Sequence, residues 1–151
     1  MSLEQWLRNA WLQRRDPTLP EIQGLLQVVD REISDAQAGG ISADGRFEHA
    51  YTAGLQLCMV ALRAAGYLVP KGESRHKRTI ESLQYTLGRR WAETSEYLER
   101  CSRQRGQAMY ERIGVVSDED AGDLLSKAEQ LRVDVIHWLK TDHAELVPPD
   151  I

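Results

Sequence analysis

Apolar residues recur along this chain at three- and four-residue spacings, the period of a helix. No segment of useful length alternates in the manner of a half-buried strand. Leu3, Trp6, Leu7, Ala10 and Trp11 share one face of a first predicted helix, which stops at the proline-bearing stretch RRDPTLP. Thr18 then reads as an N-cap with Glu21 three residues on, a capping box. Ile22, Leu25, Leu26, Val29, Ile33 and Ala36 form the next stripe, closed by Gly39 and Gly40. From about 44 to 65 the chain is apolar around most of its circumference after Phe47, as expected of the most buried helix in a bundle, and Gly66 supplies its stop. YLVPKGE is a loop. Ser74 is placed to cap a shorter helix through Ile80, Leu83 and Leu87 that ends at Gly88. A long helix follows from about 90 to 113, with Gly114 closing it. Ser117 and Asp120 open the last helix, whose stripe is Ala121, Leu124, Leu125, Ala128, Leu131, Val135, Trp138 and Leu139.

Six such segments with short connections predict one all-α domain over 1–151. Its parts are an N-terminal helical pair over 1–40, an up-and-down four-helix bundle over 43–142, and a tail over 143–151. A chain of 151 residues is long enough for one core, and 42% apolar and 28% charged residues are ordinary for a globular protein. No run approaches the roughly 18 apolar residues of a membrane span, and Glu4 and Arg8 interrupt the start, so a cytoplasmic protein without membrane association is expected. Cys58 and Cys101 lack metal-ligand spacing and sit in apolar patterns, which favours two buried thiols.

Charge changes the picture because it is segregated. Against a net −4, residues 71–112 hold ten Lys or Arg and six Asp or Glu, a local +4, whereas 113–151 hold three and nine, a local −6. Within the basic segment, Leu98, Cys101, Arg105, Ala108 and Met109 fall together on a helical projection. Arg105 therefore lies in an apolar stripe, while Arg103, Gln107 and Tyr110 share a neighbouring face. A guanidinium cannot shed its proton there, so it needs a carboxylate, helix-end carbonyls, a ligand phosphate or a wet cleft, or it must snorkel its head to solvent. Gly106 adds to the oddity, since glycine inside a helix costs roughly 1 kcal/mol and suggests close backbone approach or a bend. Gly54 raises the same question in the central helix, with close helix packing as its plain explanation.

The succession RFEHAYTAGLQLCMVALRAAGYLVPKGESRHKRTIESL followed by RCSRQRGQAMYERIGVVSDEDA resembles the HEPN superfamily of helical nucleotide- and RNA-associated domains, over about residues 43–142. The resemblance implies a four-helix core and a homodimer in which two copies of a motif (Arg, a polar residue, variable positions, His) face each other. It implies RNA cleavage without metal or cofactor in active members, and toxin-antitoxin or defence operons with a nucleotidyltransferase partner. On this resemblance Arg105 matches the motif arginine, Gly106 stands at the usually polar position and Tyr110 at the histidine. A phenol with pKa about 10 is a poor proton shuttle, so RNA or nucleotide binding is favoured over ribonuclease action. Tyr110 is also a candidate for nucleotidylation, as in some toxins of the family.

The spacing alone selects nothing, because Arg46 and Tyr51 repeat it and Arg132 and His137 give the arginine-histidine form literally, with His137 read as a surface histidine. His49 and His76 are the candidates to replace the absent imidazole. His76 belongs to Arg75, His76, Lys77 and Arg78, cations in a helix's first turn where the dipole disfavours them, which points to an anion held nearby or to an exposed charged turn. The candidate binding set is then Arg75, His76, Lys77, Arg78, Arg100, Arg103, Arg105 and Gln107, with Arg105 and Tyr110 as the catalytic pair of an enzyme version. Trp6, Trp11, Trp91 and Trp138 read as core or dimer-interface residues. No phosphate loop, Ser-His-Asp set or metal-ligand motif appears, so neither metal nor cofactor is expected. The alternative is a non-catalytic helical dimerisation or protein-interaction module.

Overall fold

The computed structural model describes residues 1–110 and 115–151, with side chains 108–110 outside the description. Most of the described chain is helical. Helix α1 spans Leu3–Arg8, α2 Leu19–Gln37, α3 Ala43–Ala64, α4 Arg75–Glu81, α5 Leu83–Thr86, α6 Ala92–Tyr110 and α7 Asp118–Asp142. Short 3-10 turns over Arg89–Trp91 and Ala144–Leu146 flank α6 and follow α7. The expected closure of the long helix near 113 by Gly114 lies outside the described residues.

Helix α3 is the axis of the molecule. It packs against α2 on one side and α7 on another, with α6 and α4 completing its surround. Phe47, Ala50, Tyr51, Ala53, Leu57, Cys58, Val60 and Ala61 are all buried, which is the all-round apolar pattern carried into space. Ile22, Leu26, Val29 and Ile33 of α2 join the same core as Leu124, Ala128, Leu131 and Val135 of α7. The two expected N-terminal helices therefore part company: α2 belongs to the main core, while Trp6 of α1 sits in a smaller cluster with Leu12, Leu62, Tyr67 and Val69. Trp6 meets Trp11 and Tyr85 edge-on, with ring centroids 5.9 and 5.4 Å apart. The C-terminal segment is docked, with Leu146 buried in the main core and Val147 and Ile151 against it.

Local chemistry explains several departures from expectation. Ala10, placed by its spacing on the first apolar face, lies past the end of α1 in the left-handed region at φ 61° and is exposed. Ser117 and Asp120 form a reciprocal capping box at α7. Thr18 Oγ1 accepts from the Glu21 amide at 3.3 Å, but the Glu21 carboxylate does not return to the Thr18 amide. It is drawn instead to Arg63 and Arg15, because a charged donor outbids an amide. Ser74 makes no side-chain cap, and its helix breaks at Ser82, whose hydroxyl donates to Thr79 O at 2.6 Å. A two-residue ladder was not foreseen: Gln13–Arg14 pairs antiparallel with Tyr67–Leu68. Beneath it the Arg63 guanidinium, 2% exposed, donates to Arg15 O and Tyr67 O at 3.0 Å and to both Glu21 oxygens at 2.9 Å. Cys58 and Cys101 are buried free thiols, as expected, and burial pushes the Cys58 thiol up to about 12. Among the described residues no helix is long and apolar enough to cross a membrane.

Candidate anion-binding site

Arg105 lies on the face of α6 turned towards α3, as its place in the apolar stripe requires. Its side chain is 25% exposed, and its Nε donates to Glu48 Oε2 of α3 at 2.5 Å. Its guanidinium carbon stands 5.2 Å from the centroid of the Tyr51 ring, one helical turn further along α3. Of the options open to an arginine in an apolar stripe, a carboxylate partner is thus one that is realised. Glu48 and Tyr51 were not singled out as a pair from the sequence, although their three-residue spacing places them on one helix face.

Helix α4 packs against both α3 and α6. His76 is exposed, yet it is lowered from its ordinary value, first by desolvation from the surrounding protein and then by the positive charges of Arg105 and Arg75. His49, the other candidate imidazole, is engaged elsewhere, with Nδ1 2.6 Å from Glu32 Oε2. The structure therefore separates two histidines that the sequence left equal. Arg105 meets Glu48 and Tyr51, and its charge acts on His76. The Tyr51 hydroxyl is buried close to Ser102 of α6. Burial raises its ionisation above the ordinary phenol range, so it remains a neutral donor.

The remaining expected residues scatter. Arg78 stacks over Trp11 at 4.0 Å, committing it to the N-terminal cluster, and Lys77 is exposed beside it. Arg103 and Gln107 are exposed on α6. Arg100 belongs to another face: with Arg90, Trp91, Tyr97 and Lys127 it lines a groove of about 530 Å³ between α6 and α7. Five residues along a helix turn the side chain well away from Arg105, so one surface cannot contain both. Gly106 has nothing within 4 Å of where a Cβ would stand among the described residues, so the close approach suggested for it is absent there. At Gly54 that approach is real, since a Cβ would meet Leu98 Cδ2 at 3.0 Å. The Tyr110 side chain, and with it the motif position of the histidine, lies outside the described residues. Arg132 is paired with Asp30 at 2.6 Å and His137 is exposed.

Three donors that could hold a metal ion stand apart from this site. Glu32 and Asp35 of α2 and His49 of α3 bring one ligand atom each within 4.8 Å of one another. No metal was expected from the sequence, because the group exists only once α2 and α3 are packed. Comparison with protein-family models, curated proteins and solved structures finds no match to this chain.

Proposed function

We propose that this chain is a HEPN-type helical protein that binds RNA or a nucleotide through Arg105, Arg75 and His76. In this reading residues 43–142 form the four-helix core, the first two helices are an addition, and the protein is a cytoplasmic homodimer. It serves a toxin-antitoxin or defence system with a nucleotidyltransferase as partner. The observation that carries the binding reading is the packing of α4, which bears Arg75 and His76, against α6, which bears Arg105. Arg75, His76 and Arg105 add positive charge where α4 packs against α6, which suits a phosphate group. A neutral imidazole beside Arg105 also offers what Tyr110 lacks as a proton acceptor, and the cleavage version assigns His76 to proton transfer and Arg105 to the developing phosphorane charge.

Fluorescence anisotropy with a short single-stranded RNA tests this. Arg105→Ala is expected to weaken binding about tenfold, worth roughly 1.4 kcal/mol, and to lower the salt slope by about 0.7 per lost phosphate contact. His76→Gln weakens it less, and Arg100→Ala leaves it unchanged. Wild-type affinity retained in Arg105→Ala and in His76→Gln removes the basis of the reading. Growth and RNA integrity on expression of wild type and Arg105→Ala then separate cleavage from binding alone.

A further inference from the structure

Among the described residues helices α2 and α3 are the most extensively packed pair, and near the end of α2 they bring together a mixed donor set. Glu32 and Asp35 are three residues apart, hence on one face of α2, and that face meets His49 of α3. Glu32 is only 8% exposed, so its carboxylate has lost most of its water and requires cationic or hydrogen-bonding compensation. Arg31 Nη2 holds Glu32 Oε1 at 2.9 Å, which leaves Oε2 to face His49 Nδ1. A carboxylate whose far oxygen is clamped in this way is held in orientation, as the outer contacts of metal sites do. Asp35 is half-buried, and among the described residues its carboxylate has no ion pair or hydrogen bond.

We propose that Glu32 Oε2, an Asp35 oxygen and His49 Nδ1 form a binding site for a divalent transition metal of the zinc class, with water completing its shell, which clasps α2 to α3. The donor chemistry selects the ion: one imidazole and two carboxylates suit Zn²⁺ and its neighbours, whereas Ca²⁺ takes six to eight oxygens and Mg²⁺ prefers oxygen and water. Bonds of about 2.0–2.2 Å place tetrahedral donors about 3.4 Å apart. His49 Nδ1 and Glu32 Oε2 stand 2.6 Å apart, and all three ligand atoms lie within 4.8 Å of one another, close enough for that distance to be reached. Side-chain rotation of Asp35 and His49, both partly exposed, closes the shell without moving either helix. Three protein ligands leave a fourth position for water. None of the three residues belongs to the Arg105 site, so the two proposals stand or fall separately.

The full chain, stripped of metal, is titrated with Zn²⁺ by calorimetry, and its thermal melt is followed with and without the ion. Wild type is expected to bind one ion and, at a hundredfold excess over Kd, to melt about 5–10 °C higher. Asp35→Asn, which removes no existing contact, keeps the metal-free melting temperature and weakens binding at least tenfold. His49→Gln does the same to binding, and Co²⁺ added to wild type gives the strong visible bands of a site with fewer than six ligands, lost in His49→Gln. RNA affinity provides the separate readout for the other site. No Zn²⁺ binding by wild type overturns the proposal, and so does binding that is unchanged in both variants and therefore sits on other residues.

Discussion

Replacing Arg63 by alanine tests the device that ties the N-terminal segment to α3. The guanidinium is 2% exposed and donates through Nε and Nη2 to the two Glu21 oxygens at 2.9 Å, through Nη1 to Arg15 O and Tyr67 O at 3.0 Å, and through Nη2 to Asp16 O at 3.3 Å. Alanine leaves the carbonyls at the chain reversal without that donor. It also leaves Glu21 with Arg15, whose Nη2 stands at 2.7 Å. Removing one partner of a buried pair costs about 3–5 kcal/mol. Because the Glu21 side chain is 25% exposed and keeps Arg15, water and that residual pair recover part of this. A loss of about 3 kcal/mol is expected, or roughly 6–12 °C in Tm for a chain of this length. Urea unfolding at neutral pH, followed by circular dichroism, measures it. Glu21→Gln in the same assay supplies the second edge of a double-mutant cycle, and the two losses should fall short of additivity by about 1–3 kcal/mol. A loss under about 1 kcal/mol for Arg63→Ala, or strict additivity with Glu21→Gln, would refute the assignment of Arg63 as the joint anchor of Glu21 and the two-residue ladder.

The two helical glycines should respond in opposite ways to alanine. Gly106→Ala meets nothing within 4 Å among the described residues and should stabilise by about 0.5–1 kcal/mol, whereas at Gly54 the new Cβ falls 3.0 Å from Leu98 Cδ2, so that gain is outweighed and thermal melts should show a net loss of about 1 kcal/mol. His76, held below its ordinary value of 6.5 by desolvation, Arg105 and Arg75, is mainly neutral at neutral pH, so RNA affinity should rise as pH falls below 6.5 and the imidazolium forms, and His76→Gln should flatten that rise. For the free protein the sign is reversed: the folded state resists that proton, so stability falls as pH falls below the ordinary value of 6.5. Glu21 is lowered by Arg63 and Arg15, and Glu32 is lowered because His49 and Arg31 outweigh its burial. Both therefore contribute stability that is complete above the ordinary 4.5 and is lost as pH falls through their depressed values, which acid titration of Glu21→Gln and Glu32→Gln should reveal as a shallower decline.

The helical stripes were readable because each rests on a period that holds over several turns. The stripe of α7, from Ala121 to Leu139, is buried almost throughout, and its Ser117–Asp120 box forms as its spacing implies. What the sequence did not disclose are outcomes of competition between partners distant in the chain. Thr18 and Glu21 carry the same signal as Ser117 and Asp120, yet the Glu21 carboxylate is taken by Arg63, 42 positions away. The ladder between Gln13–Arg14 and Tyr67–Leu68 was hidden for a related reason, since two residues are too few to show alternation and the Arg63 guanidinium that joins Arg15 O to Tyr67 O is distant in the chain. The grouping of α2 with the core follows likewise from contact with α3 rather than from order along the chain.

At the site the division is similar and has a functional consequence. That Arg105 is anomalous could be read from helical projection, because an arginine in an apolar stripe must find compensation somewhere. Which compensation it finds depends on α3, whose Glu48 accepts from Nε while Tyr51 presents its ring. This pairing holds the guanidinium in place before any ligand arrives. A phosphate entering there must compete with Glu48, so part of the attraction goes to a carboxylate already present. Glu48→Gln keeps the shape while removing the competing charge. It should tighten RNA binding severalfold, and its salt slope should exceed that of wild type. If Glu48→Gln instead weakens binding as much as Arg105→Ala does, the carboxylate acts by positioning Arg105 rather than by opposing the ligand. The pair would then be a preorganised anion contact in which the charge lost to Glu48 is repaid by fixed geometry.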